Sequence, residues 1–372
     1  KNLKLEISLR KSLLSGVFII YKRAGREIKW QKYQLKKIKM YIFKESFFNK
    51  DFINQYSMSY QLGQQGPDIF YYYFPAHFFH KKNIGLIMHN QSTMLYFENL
   101  MNSRNHFIHK ADRAICDSYI CGFIGHFTLD TTLHPYIHYR TNPHCKTDDR
   151  FYRLGTHVLL ESDLDKATLR HYMHLKPSQF SCADTIAVSP HELYVISLLV
   201  YRALHKTFPE EHISFFTVRN SFLSTRFINH YIMDRYGLKK KLVRRIDEFI
   251  FKHPFFSSII VSDNVTTYQD CCNLRHRTWK NPWDPSITSQ RDVFQLIDTA
   301  RPVYIKRIHM YSKMTSSIPT ATFKNWLQNI PKDIKSKKNP LHENPSTKAY
   351  YEQLNNLLVE LSDISYDTAL PL

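Results

Sequence analysis

The chain has only 9 glycines in 372 residues, no Cys-x-x-Cys pair and no apolar run long enough to span a bilayer. Glycine this sparse argues against a turn-rich β architecture and for helices. The longest largely apolar run, Leu193–Tyr201, falls well short of the ~20 residues that a membrane helix requires. The six cysteines, at 116, 121, 145, 182, 271 and 272, lack metal-type spacing. They read as buried, reduced thiols, which points to a cytoplasmic chain rather than a disulfide scaffold. Histidine is plentiful, with 20 in all, yet none precedes His77. Acidic residues are scarce, 32 against 51 Lys and Arg, for a net charge of +19.

That basicity is local. Residues 1–50 hold 14 Lys and Arg and 3 Asp and Glu, a net of +11, which leaves +8 for all the rest. The segment reads as a solvated basic extension, with anionic lipid or nucleic acid as the partners such charge would attract. Leu13–Tyr21 has the core of a signal peptide but no small-residue cleavage site after it. The expected organisation is an extension over 1–50, a helical domain over 51–311, a polar Lys-, Asn- and Pro-rich linker over 312–346, and a C-terminal helix segment over 347–372, whose amphipathic stretch Thr347–Leu361 docks back on the body.

What is present is a set of histidines and carboxylates at helical spacing. Gly122–Arg140 places His126, Asp130 and His134 four residues apart, on one face of a helix otherwise made of core residues such as Phe123, Ile124, Phe127 and Leu129. Pro135 predicts that the helix ends at His134. His157 and Glu161 repeat the four-residue step. Asp68 follows the turn Gly66-Pro67, and His89 adds another imidazole. Burying such groups without partners is costly, and a metal ion would satisfy them together. Seven nitrogen and oxygen donors without cysteine suit zinc, in sufficient number for two ions.

Elsewhere, Ser189-Pro190-His191-Glu192 is a capping box that starts a helix running to about Lys206. A second helical pattern spans roughly 216–235 and is stopped by Gly237. Lys239–Phe251 is amphipathic and basic. A helix with one solvated charged face accounts for it, and an anionic membrane surface is the alternative. The aromatic run Phe70–Phe74 reads as core or pocket wall, and the loop carrying Asn273, His276, Trp279 and Trp283 as a cover or a core plug near the cleft. His138 reads as a loop histidine.

The blocks LGQQGPDIFYYY (62–73), MHN around His89, GFIGHFTLDTTLHPYI (122–137) and HVLLE (157–161) resemble those of the bacterial zinc-dependent phospholipases C. DCCNLRHRTWKNPWDP (270–285) is similar to a block in Gram-positive members. The resemblance covers roughly residues 60–300. It implies an all-α, multi-helix domain with a metal cleft between helices. It implies one zinc on Asp68, His89, His126 and Asp130, and another on His134, His157 and Glu161. The family's third zinc uses the amino end and a nearby histidine, which this chain lacks before His77, so two ions are expected.

The expected activity is hydrolysis of a phosphodiester, a phospholipid above all, by water activated between two cations, with Asp68 also placed to accept a proton. Peripheral contact with an anionic membrane would accompany it. Two alternatives remain. One is single-strand nuclease action of a related helical zinc fold, which the modest charge of the body disfavours. The other is a non-catalytic, metal-binding relic.

Overall fold

A computed structural model describes residues 4–9, 18–22, 55–73, 83–141, 150–254, 256–264, 266–317 and 345–372. The structure is all-α. Its strands are short: a hairpin of β1 (Lys4–Leu9) and β2 (Phe18–Lys22), and two-residue ladders further on. β2 overlaps the end of the stretch that resembled a signal-peptide core. The helices in order are α1 (Ser57–Gly63), α2 (Ile84–Asn90), α3 (Thr93–Arg104), α4 (Lys110–Thr141), α5 (Arg150–Met173), α6 (Cys182–Thr185), α7 (Pro190–Thr207) and α8 (Phe215–Tyr231). After them come α9 (Leu238–Ile250), α10 (Phe256–Ile259), α11 (Val293–Ser316) and α12 (Pro345–Leu361).

α4 is the axis of the fold. It is 32 residues long and buried along most of its length, including Pro135. Its first half packs Ile115, Tyr119, Phe123 and Phe127 into a core shared with α1, α3, α7 and α12. Its second half packs Leu133, Tyr136 and Ile137 into a separate core with Leu160 and Leu164 of α5 and Val293 and Ile297 of α11. The metal-type residues His126, Asp130 and His134 lie where the two cores meet. Glycine permits the closest crossing: a Cβ on Gly63 would stand 2.0 Å from the carbonyl oxygen of Tyr119, and one on Gly122 would stand 2.1 Å from that of Tyr60.

Pro135 does not end α4, contrary to the expectation from its ring. It removes one ladder hydrogen bond, but Leu133, His134, Tyr136 and Ile137 around it are all buried, and their packing outweighs the loss. His138 is therefore on the helix and not in a loop. α2 and α3 are separated at Gln91-Ser92, where Ser92 has a left-handed φ of 52°. The Ser189–Glu192 capping box forms as read, and α7 reaches Thr207. α11 extends to Ser316, past the expected start of the linker, and residues 318–344 lie outside the described residues.

α12 docks through Tyr350, Leu354, Leu357 and Leu361. It ends at Leu361, as its amphipathic pattern does, and the last residues form a strap whose ends meet in a bridge between Ile364 and Pro371. Among the described residues, no helix is long and apolar enough to cross a membrane.

Candidate metal centre

Four elements deliver the donors. A 3₁₀ turn over Gly66–Tyr72 carries Asp68, α2 carries His89, α4 carries His126, Asp130 and His134, and α5 carries His157 and Glu161. The four-residue spacing aims each helical set along one face. All seven residues are buried, and the structure gathers them into two groups. Asp68, His89 and His126 bring one donor atom each within 4.8 Å of one another, and His134, His157 and Glu161 do the same.

Asp130 joins the groups. Its Oδ2 is 2.9 Å from His126 Nε2, 3.8 Å from His89 Nε2 and 3.9 Å from His134 Nε2. One carboxylate oxygen thus faces a histidine nitrogen of each group. His157 Nε2 and Glu161 Oε1 are 3.0 Å apart, and Asp68 Oδ1 is 3.4 Å from His89 Nε2.

The imidazoles are oriented from behind. His89 Nδ1 donates to the carbonyl of Gly85 at 2.6 Å, which leaves Nε2 as the lone-pair nitrogen facing Asp68 and Asp130. His134 Nδ1 donates to Asp367 at 3.1 Å, so its Nε2 faces Glu161 and Asp130. His126 is seated through Gly66, whose φ is +52° and where a Cβ would lie 2.1 Å from the imidazole Cδ2. Glycine is needed there for both the backbone and the ring.

The donors fit a cation. Both carboxylate oxygens of Asp130 and of Glu161, and Nε2 of His89 and His134, are buried and make no hydrogen bond. Leaving such atoms unsatisfied costs about 1–3 kcal/mol each, which a bound cation would remove. Burial lowers His89, takes His157 down to about 4 and His134 to about 3, so all three are held neutral as ligands must be. Burial, then the neighbouring carboxylates of Asp68 and Glu161, raises Asp130, and burial raises Glu161. Positive charge between the two groups is what this arrangement lacks.

Sequence reasoning missed three contributors. Asp367, from the C-terminal strap, accepts from His134, and its Oδ1 lies 3.8 Å from His138 Nε2. Burial opposes its charge, but the hydrogen bond from His134 and the neighbouring imidazoles of His138 and His89 hold its carboxyl well below the usual range. Tyr366 lays its ring over the first group, 5.0 Å from His89 and 5.8 Å from His126. The strap is pinned by Tyr366 N–H on the His89 carbonyl, Asn90 on Asp367, and Asn281 on the Thr368 carbonyl. His138, read as a loop residue, lies at the rim with its ring tilted against that of His157, 4.6 Å away.

The tryptophan loop splits the two readings offered for it. Trp279 is a core plug against Tyr136, whereas Trp283 reaches the rim 4.7 Å from His138. Tyr71, in the aromatic run, forms wall 5.8 Å from His89. His77 and His80 lie outside the described residues, and so do the side chains of the basic extension.

Comparison with family models, with curated proteins and with solved structures returns no match.

Proposed function

We propose that this chain is a zinc-dependent phosphodiester hydrolase of the phospholipase C kind, holding two ions. One observation carries the reading. Two buried donor groups, rich in imidazole and carboxylate, meet at Asp130, and Nε2 of His89 and of His134 and the carboxylate oxygens of Asp130 and Glu161 are buried there without a hydrogen bond. Nitrogen and oxygen donors without thiolate suit zinc, and three or four protein ligands per ion leave room for substrate. Asp68, His89, His126 and Asp130 would hold one ion, and His134, His157 and Glu161 the other. Bound there, the two cations would neutralise an anionic diester and lower the pKa of a water.

The remaining work falls to the chain's own residues. Asp68 opens the first group from the 3₁₀ turn and would take a proton from the attacking water. Asp367 keeps His134 in the tautomer that offers Nε2. Tyr71 and Tyr366 exclude solvent and give the site apolar walls suited to a lipid diester.

The test is release of phosphorylated head group from mixed phospholipid vesicles, with chelator and His134→Ala as controls. Single-stranded oligonucleotides are assayed in parallel. Head-group release that needs zinc supports the reading. Cleavage of oligonucleotides alone replaces it with a nuclease, and no turnover of either with both zincs bound makes the site a binding relic. Asp68→Asn should lower kcat by ~10²–10⁴-fold, well beyond any fall in zinc content.

A further inference from the structure

α9 is built the wrong way round for a helix in water. Its buried residues are Lys240 and Asp247, two turns apart on one face. Its outward stripe is apolar: Leu238, Leu242, Ile246, Phe249 and Ile250 are all exposed, with Phe249 at 80%, Leu238 at 69% and Leu242 at 60%. The spacing follows the helical period, so these side chains form one continuous strip. The solvated charged face expected for this helix is present, since Lys239, Lys241 and Arg245 are exposed, but the apolar stripe is exposed beside it and only Lys240 and Asp247 turn inward.

The inversion is fixed by polar anchors. The Asp247 carboxylate accepts the backbone N–H groups of Phe256 and Ser257, at 3.1 and 2.7 Å, and so ties α9 to the start of α10. The Asp234 carboxylate accepts from the backbone of Gly237 and Lys240, at 3.0 and 2.7 Å, and fixes the other end. With both ends held by the buried face, rotating the strip inward would break four hydrogen bonds.

The strip also has neighbours of the same kind. Phe227 and Tyr231 of α8 are exposed at 63% and 58%, with rings 4.7 Å apart. Lys239 Nζ donates to the Tyr231 carbonyl, so the two stripes adjoin. Scattered exposed apolar residues need no explanation, but a contiguous strip marks an interaction surface.

Charge selects the occupant. Residues 235–252 contain seven Lys and Arg against two acids, a net of +5. Of the acids, Asp247 is buried and Glu248 pairs with Arg244 at 3.1 Å. Lys239, Lys241, Arg245 and Lys252 are exposed along the strip. An apolar stripe edged with cations matches an anionic bilayer, where acyl chains take the Leu and Phe side chains and head groups take the Lys and Arg. A protein partner core would instead be depleted in lysine.

We infer that α9, with the end of α8, is a docking surface for anionic phospholipid membranes. This rests on the surface alone and deepens the proposed function by saying how the chain would reach a lipid substrate.

The test is co-sedimentation of the full chain, in the presence of chelator so that no lipid is consumed. One set of vesicles is phosphatidylcholine alone and another includes phosphatidylserine. The chain should bind the anionic vesicles at least ~10-fold more tightly, and added salt should weaken that binding. The double substitution Leu242→Glu and Phe249→Glu should reduce it by a further ~10-fold or more. Both sites are exposed, so the variant should keep the wild-type melting temperature. A Lys239→Glu, Lys241→Glu variant, which adds no polarity to the strip itself, should lose the preference for anionic vesicles. Equal binding to both vesicle types, or unchanged binding of the variants, overturns the inference. So does a wild-type dimer that the Leu242 and Phe249 changes convert to monomer, since the strip is then covered by a second copy. Hydrolysis of a short, water-soluble diester needs no docking, so the activity and the surface fail or succeed separately.

Discussion

Asp367→Asn isolates the contribution of the C-terminal strap to the metal centre. In the native chain, the carboxylate accepts from His134 Nδ1 at 3.1 Å and from the Asn90 amide at 3.0 Å. Asparagine keeps the size and can still offer an oxygen to His134. It removes the charge that makes the imidazole a better donor. It also turns an NH₂ toward Asn90, whose own NH₂ already points there. Loss of an outer carboxylate behind a metal-bound histidine costs about 10–100-fold in metal affinity, or ~1.4–2.7 kcal/mol. His134 belongs to the group with His157 and Glu161, so the cost should fall on that ion. The ion held by Asp68, His89 and His126 should change little, because its histidine is oriented by Gly85 instead. Zinc competition against a chromophoric chelator, with two resolved steps, reads this directly. One step should weaken by the stated factor while the other stays in place. If both steps weaken equally, the strap acts by closing the whole site and not through His134. If neither moves, Asp367 orients nothing and the account of the strap is wrong.

Other expectations follow from single residues. Gly66→Ala should cost ~1–2 kcal/mol for the left-handed backbone alone, and should displace His126 as well. Calorimetry should then show both a lower melting temperature and weakened zinc binding, and loss of stability without loss of zinc would refute the contact. Lys240 is buried, its Nζ makes no hydrogen bond, and burial lowers it from 10.5 to about 8. Its charge is therefore a penalty that is complete below about pH 8 and vanishes above 10.5. Lys240→Met should stabilise the chain at pH 7 by at most on the order of 3 kcal/mol, a gain that shrinks as pH rises. A gain independent of pH between 7 and 10 would show that packing, not charge, is responsible.

Much of the site was legible because helices repeat. His126, Asp130 and His134, and likewise His157 and Glu161, sit at steps of four, and that spacing alone places each set on one face. Asp68 was found by its turn and His89 by its block, but nothing in either stretch tells where α2 and the 3₁₀ turn meet α4. That follows from two cores packing around one central helix. The reading failed where a local rule met packing: Pro135 obeyed its neighbours rather than its ring, which carried His138 onto the helix and to the site. It failed too for Asp367, because a carboxylate in the stretch Ser365-Tyr366-Asp367-Thr368 has no spacing or motif. Only docking of α12 by Tyr350 and Leu357 brings it to His134, 233 positions earlier. On α9 the hydrophobic period and the solvated charges were legible, but not that the apolar stripe is exposed as well. Amphipathicity shows that two faces differ, and the Asp234 and Asp247 anchors decide which one is outside.

Anomalous diffraction at the zinc edge, on crystals of the full chain grown with zinc, tests the central claim most directly. Two peaks should appear, one within the Asp68, His89 and His126 group and one within the His134, His157 and Glu161 group, with Asp130 between them. In crystals of His157→Ala, the second peak alone should be lost. No peak in either group, or a single ion on surface histidines, would contradict the account.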